Sequence, residues 1–248
     1  MTQTTNYEFQ KTSDLPRIEA VIRYEFKDKA LLQTALTHRS YLNEKDKDTA
    51  ITVHNERLEF LGDAVLELVV SDYLFCELNE SEGKMTKLRS SLVRDKNTAK
   101  VGLRLGLDEE ILLSRGEREE LGKARPSIVA DALEAILGAM YLDGGIEPCR
   151  NFISEYILTL LPEIISAQLY NDFKTLMQEY TQKHTKITPH YKVIATAGKD
   201  HDKLYTCGVW VDQEKIAEGV GRSKQVAETE AAKKGLAIMQ TRFESPEQ

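Results

Sequence analysis

NERLEFLGDAVLE, residues 55–67, is the stretch that decides the fold of the first part of the chain. Apolar residues recur in it at spacings of three and four, from Leu58 through Leu61, which predicts an amphipathic helix. Glu59 and Asp63 are four residues apart, so their side chains project from one helix face, one turn from each other. The stretch therefore predicts a helix that packs into a core and presents two carboxylates side by side.

A second acidic pair lies in SIVADALEAILGAMYL, residues 127–142, where Asp131 and Glu134 are three residues apart in an otherwise apolar helical pattern. A bare charge among such residues is costly, and like charges on one helix face repel each other. A cation is needed to neutralise them. Because only oxygen ligands are available at these positions, the pattern favours a hard cation such as Mg²⁺ or Mn²⁺ and chemistry at a phosphate.

Each acidic pair alone has an ordinary interpretation, because acids at helical spacing usually form a solvated helix face. Two such pairs in apolar helices favour a shared function instead. Spacing does not establish that the two helices face each other, so their convergence is a hypothesis. We expect Glu59, Asp63, Asp131 and Glu134 to hold divalent metal ions together.

Helical periodicity extends over residues 15–165, with glycines and prolines between the apolar stretches. Beyond it, one more helix precedes HYKVIATAG, KLYTCGVWV and KIAEGVG, which alternate polar with apolar or β-branched residues and predict three strands. A final helix begins near residues 221–224. The predicted architecture is an all-α domain at residues 1–165, a linker at 166–171, a small α+β domain of order α-β-β-β-α at 172–242 and a tail at 243–248.

Composition excludes several classes of protein. Hydrophobic residues make up 41% and charged residues 29% of the chain, which is too apolar for disorder and too interrupted by charge for a membrane span. The polar start MTQTTNYEFQ lacks the order of a secretory signal, so we expect a cytoplasmic location. The three cysteines, Cys76, Cys149 and Cys207, are far apart and are expected to be buried reduced thiols.

The net charge of -7 is unusual for a protein that binds nucleic acid, which commonly has a basic surface. The charge is unevenly distributed. From residue 171 onward there are 12 Lys+Arg against 11 Asp+Glu, whereas residues 1–170 contain 21 against 29. The acidity therefore belongs to the first domain.

The sequence resembles bacterial ribonuclease III over nearly its whole length. The resemblance rests on NERLEFLGDAVLE at 55–67, SIVADALEAILGAMYLDGG at 127–145, ALTHRSY at 35–41 and the C-terminal α-β-β-β-α module. It implies that the first domain is an endonuclease domain whose metal-binding carboxylates correspond to the four acids above. Within that set it gives Asp63 and Glu134 the most direct part in catalysis.

The resemblance further implies a homodimer in which each subunit cuts one strand of double-stranded RNA, leaving 5′-phosphate and 3′-hydroxyl ends. Ribosomal RNA precursors and structured messenger RNAs are the implied substrates, with neither a membrane nor a small-molecule substrate as partner. Glu56 and Glu82 resemble further acids near the family's cleft. For Glu56, pairing with Arg57 or simple exposure to solvent is an equal alternative.

The C-terminal module resembles a double-stranded RNA-binding domain, which reads the shape of A-form RNA across its minor grooves. Its implied RNA-binding residues are Thr175, Gln178, Glu179 and Gln182 on the first helix, His201 in the loop after the first strand, and Arg222, Ser223 and Lys224 at the start of the last helix. At that helix start, free N–H groups and the helix dipole favour a phosphate. Ser223 is equally an ordinary N-cap, the first-helix residues an ordinary polar face, and Gln225 departs from the family's second lysine.

Trp210 and Tyr205 raise the alternative of a base-stacking platform of the kind that binds single strands. Because they lie in strands that must cover two helices, core packing is the expected role of at least one of them, and we therefore reject the stacking platform on the sequence alone.

Two other functions are compatible with parts of the sequence. A protein that binds double-stranded RNA without cutting it would be favoured by a missing carboxylate, but all four are present. A helical metal-dependent phosphohydrolase acting on a small phosphate ester would leave the C-terminal module without a purpose.

Overall fold

The long acidic helix predicted from residues 55–67 is present as α4, and it belongs to a helical unit built as the periodicity predicts. The computed structural model describes residues 13–44, 51–118, 123–166, 168, 172–198 and 202–244. Contacts divide the chain into two units, Met1–Tyr170 and Asn171–Gln248. The helices of the first unit are α1 (Leu15–Ile22), α2 (Lys29–Ala35), α3 (Arg39–Glu44), α4 (Glu56–Glu77), α5 (Glu82–Leu92), α6 (Asp95–Arg104), α7 (Leu107–Glu110), α8 (Pro126–Gly144), α9 (Ile146–Tyr156) and α10 (Leu161–Ser166).

Two short 3₁₀ turns, Arg115–Glu117 and Leu158–Leu160, complete the regular structure described in this unit. The helix starts follow local chemistry: Asp14, Asp28 and Ser81 each accept a hydrogen bond from a backbone N–H in the first turn of α1, α2 and α5. Helix α8 is the most deeply buried, with apolar residues on most of its circumference. It forms the centre of one apolar core shared by the helices of the unit.

The second unit has the predicted α-β-β-β-α order. Helix α11 (Phe173–Thr185) is followed by strands β1 (His190–Ala197), β2 (Leu204–Val211) and β3 (Glu214–Gly221), and then by α12 (Lys224–Glu244). The strands form one antiparallel sheet in the order β1-β2-β3. One face of the sheet packs on the two helices and forms a separate apolar core that includes Met177 and Val209. The fold class predicted from the sequence is confirmed.

Residues 161–166 are helical, because Pro162 lies in the first turn of α10, where its missing N–H costs nothing. The structure differs from the sequence-based expectations at two places. Cys149 and Cys207 are buried free thiols as expected, but Cys76 is exposed near the end of α4. At least one of Trp210 and Tyr205 was expected to pack in the core, but Trp210 does not.

Trp210 lies on the outer face of the sheet. On β2 the side chains of Cys207, Val209 and Val211 are buried toward the helices, so the alternation of the strand turns Trp210 to the other face, where its ring covers Gly208. Tyr205 alternates with the inward-facing residues of β2 but remains partly exposed. Neither Tyr205 nor Trp210 belongs to the apolar core of the second unit. None of the described helices has both the length and the apolar character that crossing a membrane requires.

Candidate active site and RNA-binding surface

Helices α4 and α8 cross in backbone contact, and this crossing brings the two acidic pairs together. They pack more extensively than any other pair of described elements. A Cβ on Gly62 of α4 would lie 1.7 Å from the carbonyl oxygen of Glu134. A Cβ on Gly138 of α8 would lie 2.2 Å from the carbonyl oxygen of Leu58. Only glycine permits so close an approach, so the sequence at these two positions sets the separation of the acids.

The four predicted carboxylates form one electrostatic cluster at this crossing. Burial raises the pKa of Glu134 to about 8, and the negative charges of Asp63, Asp131 and Glu59 add to the shift. Burial followed by repulsion from Asp131 also raises the pKa of Glu59. Asp63 itself is exposed, whereas the other three are partly buried. The acids therefore repel one another at a site that is partly closed to water, which is the situation that a cation relieves.

Asp95, at the start of α6, is a fifth acid of the cluster that the sequence analysis missed. Burial raises the pKa of Asp131, and the charge of Asp95 is the next largest cause. Asp95 also contributes to the raised pKa values of Glu59 and Glu134. It has no acidic neighbour at helical spacing, and its proximity results from the packing of α6 against α8. No short-range sequence signal marks that proximity.

The donor set is suited to a hard divalent cation, because the cluster consists of carboxylate oxygens. Within the described part of the chain, however, no three acid, histidine or cysteine side chains are placed so that they could hold one ion together. Binding would therefore need rotation of side chains or ligation by one or two carboxylates. The second arrangement is common for Mg²⁺, which usually keeps several of its waters.

The two secondary acids lie in different places. Glu56 is exposed and pairs with Arg39, whose Nη1 is 3.3 Å from its Oε1, rather than with Arg57. Its charge still raises the pKa of Glu59, after burial and Asp131. Glu82 accepts a hydrogen bond from the Thr86 hydroxyl on α5. It lines a pocket of about 330 Å³ between α4 and α5 and does not contribute to the pKa shifts of the cluster.

The predicted RNA-binding residues of α11 share an exposed face. Thr175, Gln178, Glu179 and Gln182 are all exposed. The Thr175 hydroxyl donates a hydrogen bond to Asp172, the N-cap of the helix, at 2.9 Å. One member of the set is thus already engaged in capping, and the other three side chains point to solvent.

At the start of α12, Ser223 is an N-cap whose hydroxyl oxygen accepts a hydrogen bond from Val226 N at 3.2 Å. Arg222 and Lys224 on either side of it are exposed, and among the residues that the structure describes Arg222 has one long ion pair, of 3.8 Å, with Asp202. Both cations are therefore available beside the positive end of a 21-residue helix. His201 lies outside the residues that the structure describes.

Comparisons with known families agree with this division into two units. Residues 28–161 match the family model described as ribonuclease-III-like, and residues 173–239 match the double-stranded RNA binding motif. A helical unit with an acidic site, followed by this module, is the architecture of a nuclease that acts on double-stranded RNA.

Relatives along the whole chain give the family. The chain is 42% identical over 231 residues to ribonuclease 3 of Nitratiruptor sp., covering 93% of this chain and 99% of the relative. It is 41% identical to ribonuclease 3 of Campylobacter jejuni, with 90% and 96% covered. A solved nuclease domain of ribonuclease III from C. jejuni aligns with a TM-score of 0.53 and 45% identity, covering 60% of this chain and 99% of that domain. The chain belongs to the ribonuclease III family of double-stranded RNA endoribonucleases, which generally need a divalent metal ion.

Proposed function

We propose that this chain hydrolyses double-stranded RNA to 5′-phosphate and 3′-hydroxyl ends, with Glu59, Asp63, Asp131 and Glu134 holding Mg²⁺, for which Mn²⁺ can substitute. The observation that carries the proposal is the glycine-mediated crossing of α4 and α8, which gathers two acidic pairs far apart in sequence. Ribosomal RNA precursors and structured messenger RNAs in the cytoplasm are the proposed substrates.

The roles follow from charge and position. A divalent cation bound by these acids would neutralise charge on the scissile phosphate and make a nearby water more acidic. We assign all four acids to holding the cation. We assign the most direct part in catalysis to Asp63, which is exposed, and to Glu134, whose pKa is raised to about 8. Because its pKa is about 8, Glu134 keeps a proton at neutral pH until positive charge enters the cluster.

The test is incubation of the full chain with a long RNA duplex, with and without Mg²⁺, followed by analysis of the fragment ends. Glu134→Gln should lower the cleavage rate by about a thousandfold or more and leave duplex binding in a gel-shift assay unchanged. Glu147→Gln is the matched control and should cleave normally, because Glu147 is an exposed acid of α9 whose described ion-pair partner is Arg150. Wild-type cleavage by Glu134→Gln would remove Glu134 from the mechanism.

The same assay decides between the alternatives. Duplex binding without cleavage under any divalent ion would indicate a non-cutting RNA-binding protein. Inhibition of duplex cleavage by small phosphate esters, together with their hydrolysis, would indicate a phosphohydrolase for small substrates.

A homodimer is proposed because α4 carries an unpartnered apolar face. Phe60 is 82%, Leu68 61% and Phe75 76% exposed, and the three lie on one side of the helix. In a two-fold pair of antiparallel α4 helices, Leu68 would lie near the axis and meet its own copy. Phe60 would then lie opposite Phe75 of the second copy, beside the pocket that Leu74, Phe75 and Met85 line. Phe60 and Phe75 lie at similar distances on either side of Leu68 along α4, and this arrangement suits a symmetric interface.

This pairing also gives Glu82 a role. Glu82 lines the same pocket as Phe75, near the Phe75 end of α4, and does not contribute to the raised pKa of Glu134 in its own chain. Antiparallel pairing would place that end beside the Phe60 end of the other α4, one turn from Asp63. Glu82 would therefore contribute to the acidic site of the second copy.

For the second unit, we propose that Gln178, Glu179 and Gln182 bind minor-groove edges of the duplex, together with Thr175 and His201. Arg222, Ser223 and Lys224 are proposed to bind phosphate. The support is the shared exposure of the α11 residues and the two available cations at the positive end of α12.

A further inference from the structure

The outer face of the β1-β2-β3 sheet, opposite the helices, carries an aromatic ring laid flat on the backbone. A Cβ on Gly208 would lie 2.5 Å from Cη2 and 2.6 Å from Cζ3 of Trp210, so the indole covers the space that a side chain would otherwise fill. Ile194, at a bulge in β1, approaches the same point to 3.0 Å through its Cδ1. The absence of a side chain at Gly208 thus allows Trp210 to form part of a flat surface.

Cationic and aromatic side chains surround this ring. The His190 imidazole on β1 stacks beside it, with centroids 5.8 Å apart and planes 15° apart. Lys192 Nζ lies 5.8 Å from the centroid of the Trp210 ring. On the other side, Lys215 pairs with Trp210 in the register of β2 and β3. Lys215 forms an ion pair with Glu218, which leaves Lys192 as the cation of this face without a described acidic partner.

We propose that this outer face binds single-stranded RNA, with an unpaired base stacked on Trp210 and Lys192 contacting a backbone phosphate. A planar indole next to positive charge is the combination that binds unpaired nucleotides, because every base has a π-face and every linkage has an anion. The exposed Ile194, which approaches the same point above Gly208, adds apolar surface beside the ring.

A duplex cannot use this surface in the same way. Bases in A-form RNA are stacked on each other, so their faces are inaccessible and only groove edges, 2′-hydroxyls and phosphates are presented. The helices α11 and α12, which carry the proposed duplex contacts, cover the opposite face of the sheet. The two kinds of RNA would therefore be bound by different sides of the module, and this proposal does not depend on cleavage.

Trp210 is the one tryptophan of the chain, so its fluorescence reports on this face directly. The full chain is titrated without divalent ions with oligouridine, which does not form a duplex, and separately with a blunt RNA duplex. We expect saturable quenching by oligouridine and little change with the duplex. Trp210→Leu should weaken oligouridine binding, measured by anisotropy of a labelled oligonucleotide, by about tenfold or more, and Trp210→Phe should keep part of it.

Two lysine variants separate this site from the duplex site. Lys192→Ala should weaken oligouridine binding several-fold and leave duplex binding unchanged, whereas Lys224→Ala should do the reverse. Absence of saturable quenching, or equal effects of the two variants on oligouridine, would overturn the proposal. A shift of the emission with protein concentration alone would assign the face to contact between copies of this chain, and would overturn it too.

Discussion

Glu134 is the side chain at which burial and the charges of neighbouring acids most strongly disfavour ionisation. Its pKa is raised further than those of Glu59 and Asp131, to about 8, because it is the most buried of the three and has four acidic neighbours. In the unfolded chain the same carboxyl titrates near its ordinary value of 4.5. Between these two values the folded protein binds a proton that the unfolded chain has lost, so stability falls as the pH rises through that window.

Replacement of Glu134 by glutamine removes this penalty, and we predict a stabilised protein. In EDTA, Glu134→Gln should raise the Tm above that of the wild type near pH 8, by about 2–4 °C for each kcal/mol recovered. The difference should vanish only well below pH 4.5, at about pH 3, where the wild-type carboxyl is protonated in both states. Saturating Mg²⁺ should reduce it by stabilising the wild type. A Tm difference that is the same at both pH values would contradict this explanation.

At single residues, the sequence predicts what regular spacing encodes. Glu59 and Asp63, and Asp131 and Glu134, were found because each pair repeats at helical spacing in an apolar helix. Asp95 was not found, since its position in the cluster depends on how α6 packs on α8. For the same reason the exposed position of Cys76 and the pairing of Glu56 with Arg39 were visible only in three dimensions.

Among the elements, the crossing of α4 and α8 is the feature on which the site depends. We predict that Gly62→Ala lowers the free energy of unfolding by at least about 2 kcal/mol, because its Cβ would overlap the carbonyl group of Glu134. Helix separation should also reduce cleavage by more than the loss of folded protein explains. Urea denaturation and cleavage assays at matched folded fractions measure the two effects.

Gly83→Ala is the matched control for this prediction. Gly83 lies in α5 with nothing within 4 Å of its Cβ position, so alanine should be neutral or stabilising by up to about 1 kcal/mol. A neutral or stabilising effect of Gly62→Ala would contradict the prediction, because it would show that α4 and α8 do not need glycine at this crossing.

Long periodic elements were predictable, and short or context-dependent ones were not. The α-β-β-β-α order followed from alternation and from turn residues between the strands. Helices α7 and α10 are too short to show a period of their own. The orientation of Trp210 was missed because alternation gives two faces without saying which face meets the helices.

For the whole molecule, self-association through α4 should be sensitive to charge at the proposed axis. We predict that Leu68→Glu converts a dimer to a monomer in sedimentation velocity, because two carboxylates would meet across the axis. Leu103→Glu, on α6 and 42% exposed, introduces the same charge elsewhere and should remain dimeric. Dissociation by both variants, or by neither, would exclude α4 as the specific interface.

The two units have separate apolar cores, which allows them to be separated experimentally. Removal of residues 171–248 should weaken duplex binding strongly at physiological salt and leave measurable Mg²⁺-dependent cleavage at low salt, where phosphate attraction is less screened. Filter binding and cleavage at two ionic strengths provide the measurement. Complete inactivity of a folded first unit at low salt would show that the second unit is required for catalysis.

The backbone contact at Gly62 and Gly138 has a consequence for how such a sequence can diverge. The absence of side chains at these two positions sets the closest approach of the two backbones. Exchanges of aliphatic residues that conserve the volume of the surrounding core therefore leave the spacing of the acids unchanged. Divergence in the interior and retention of catalytic geometry are thereby compatible, provided that these two positions stay glycine.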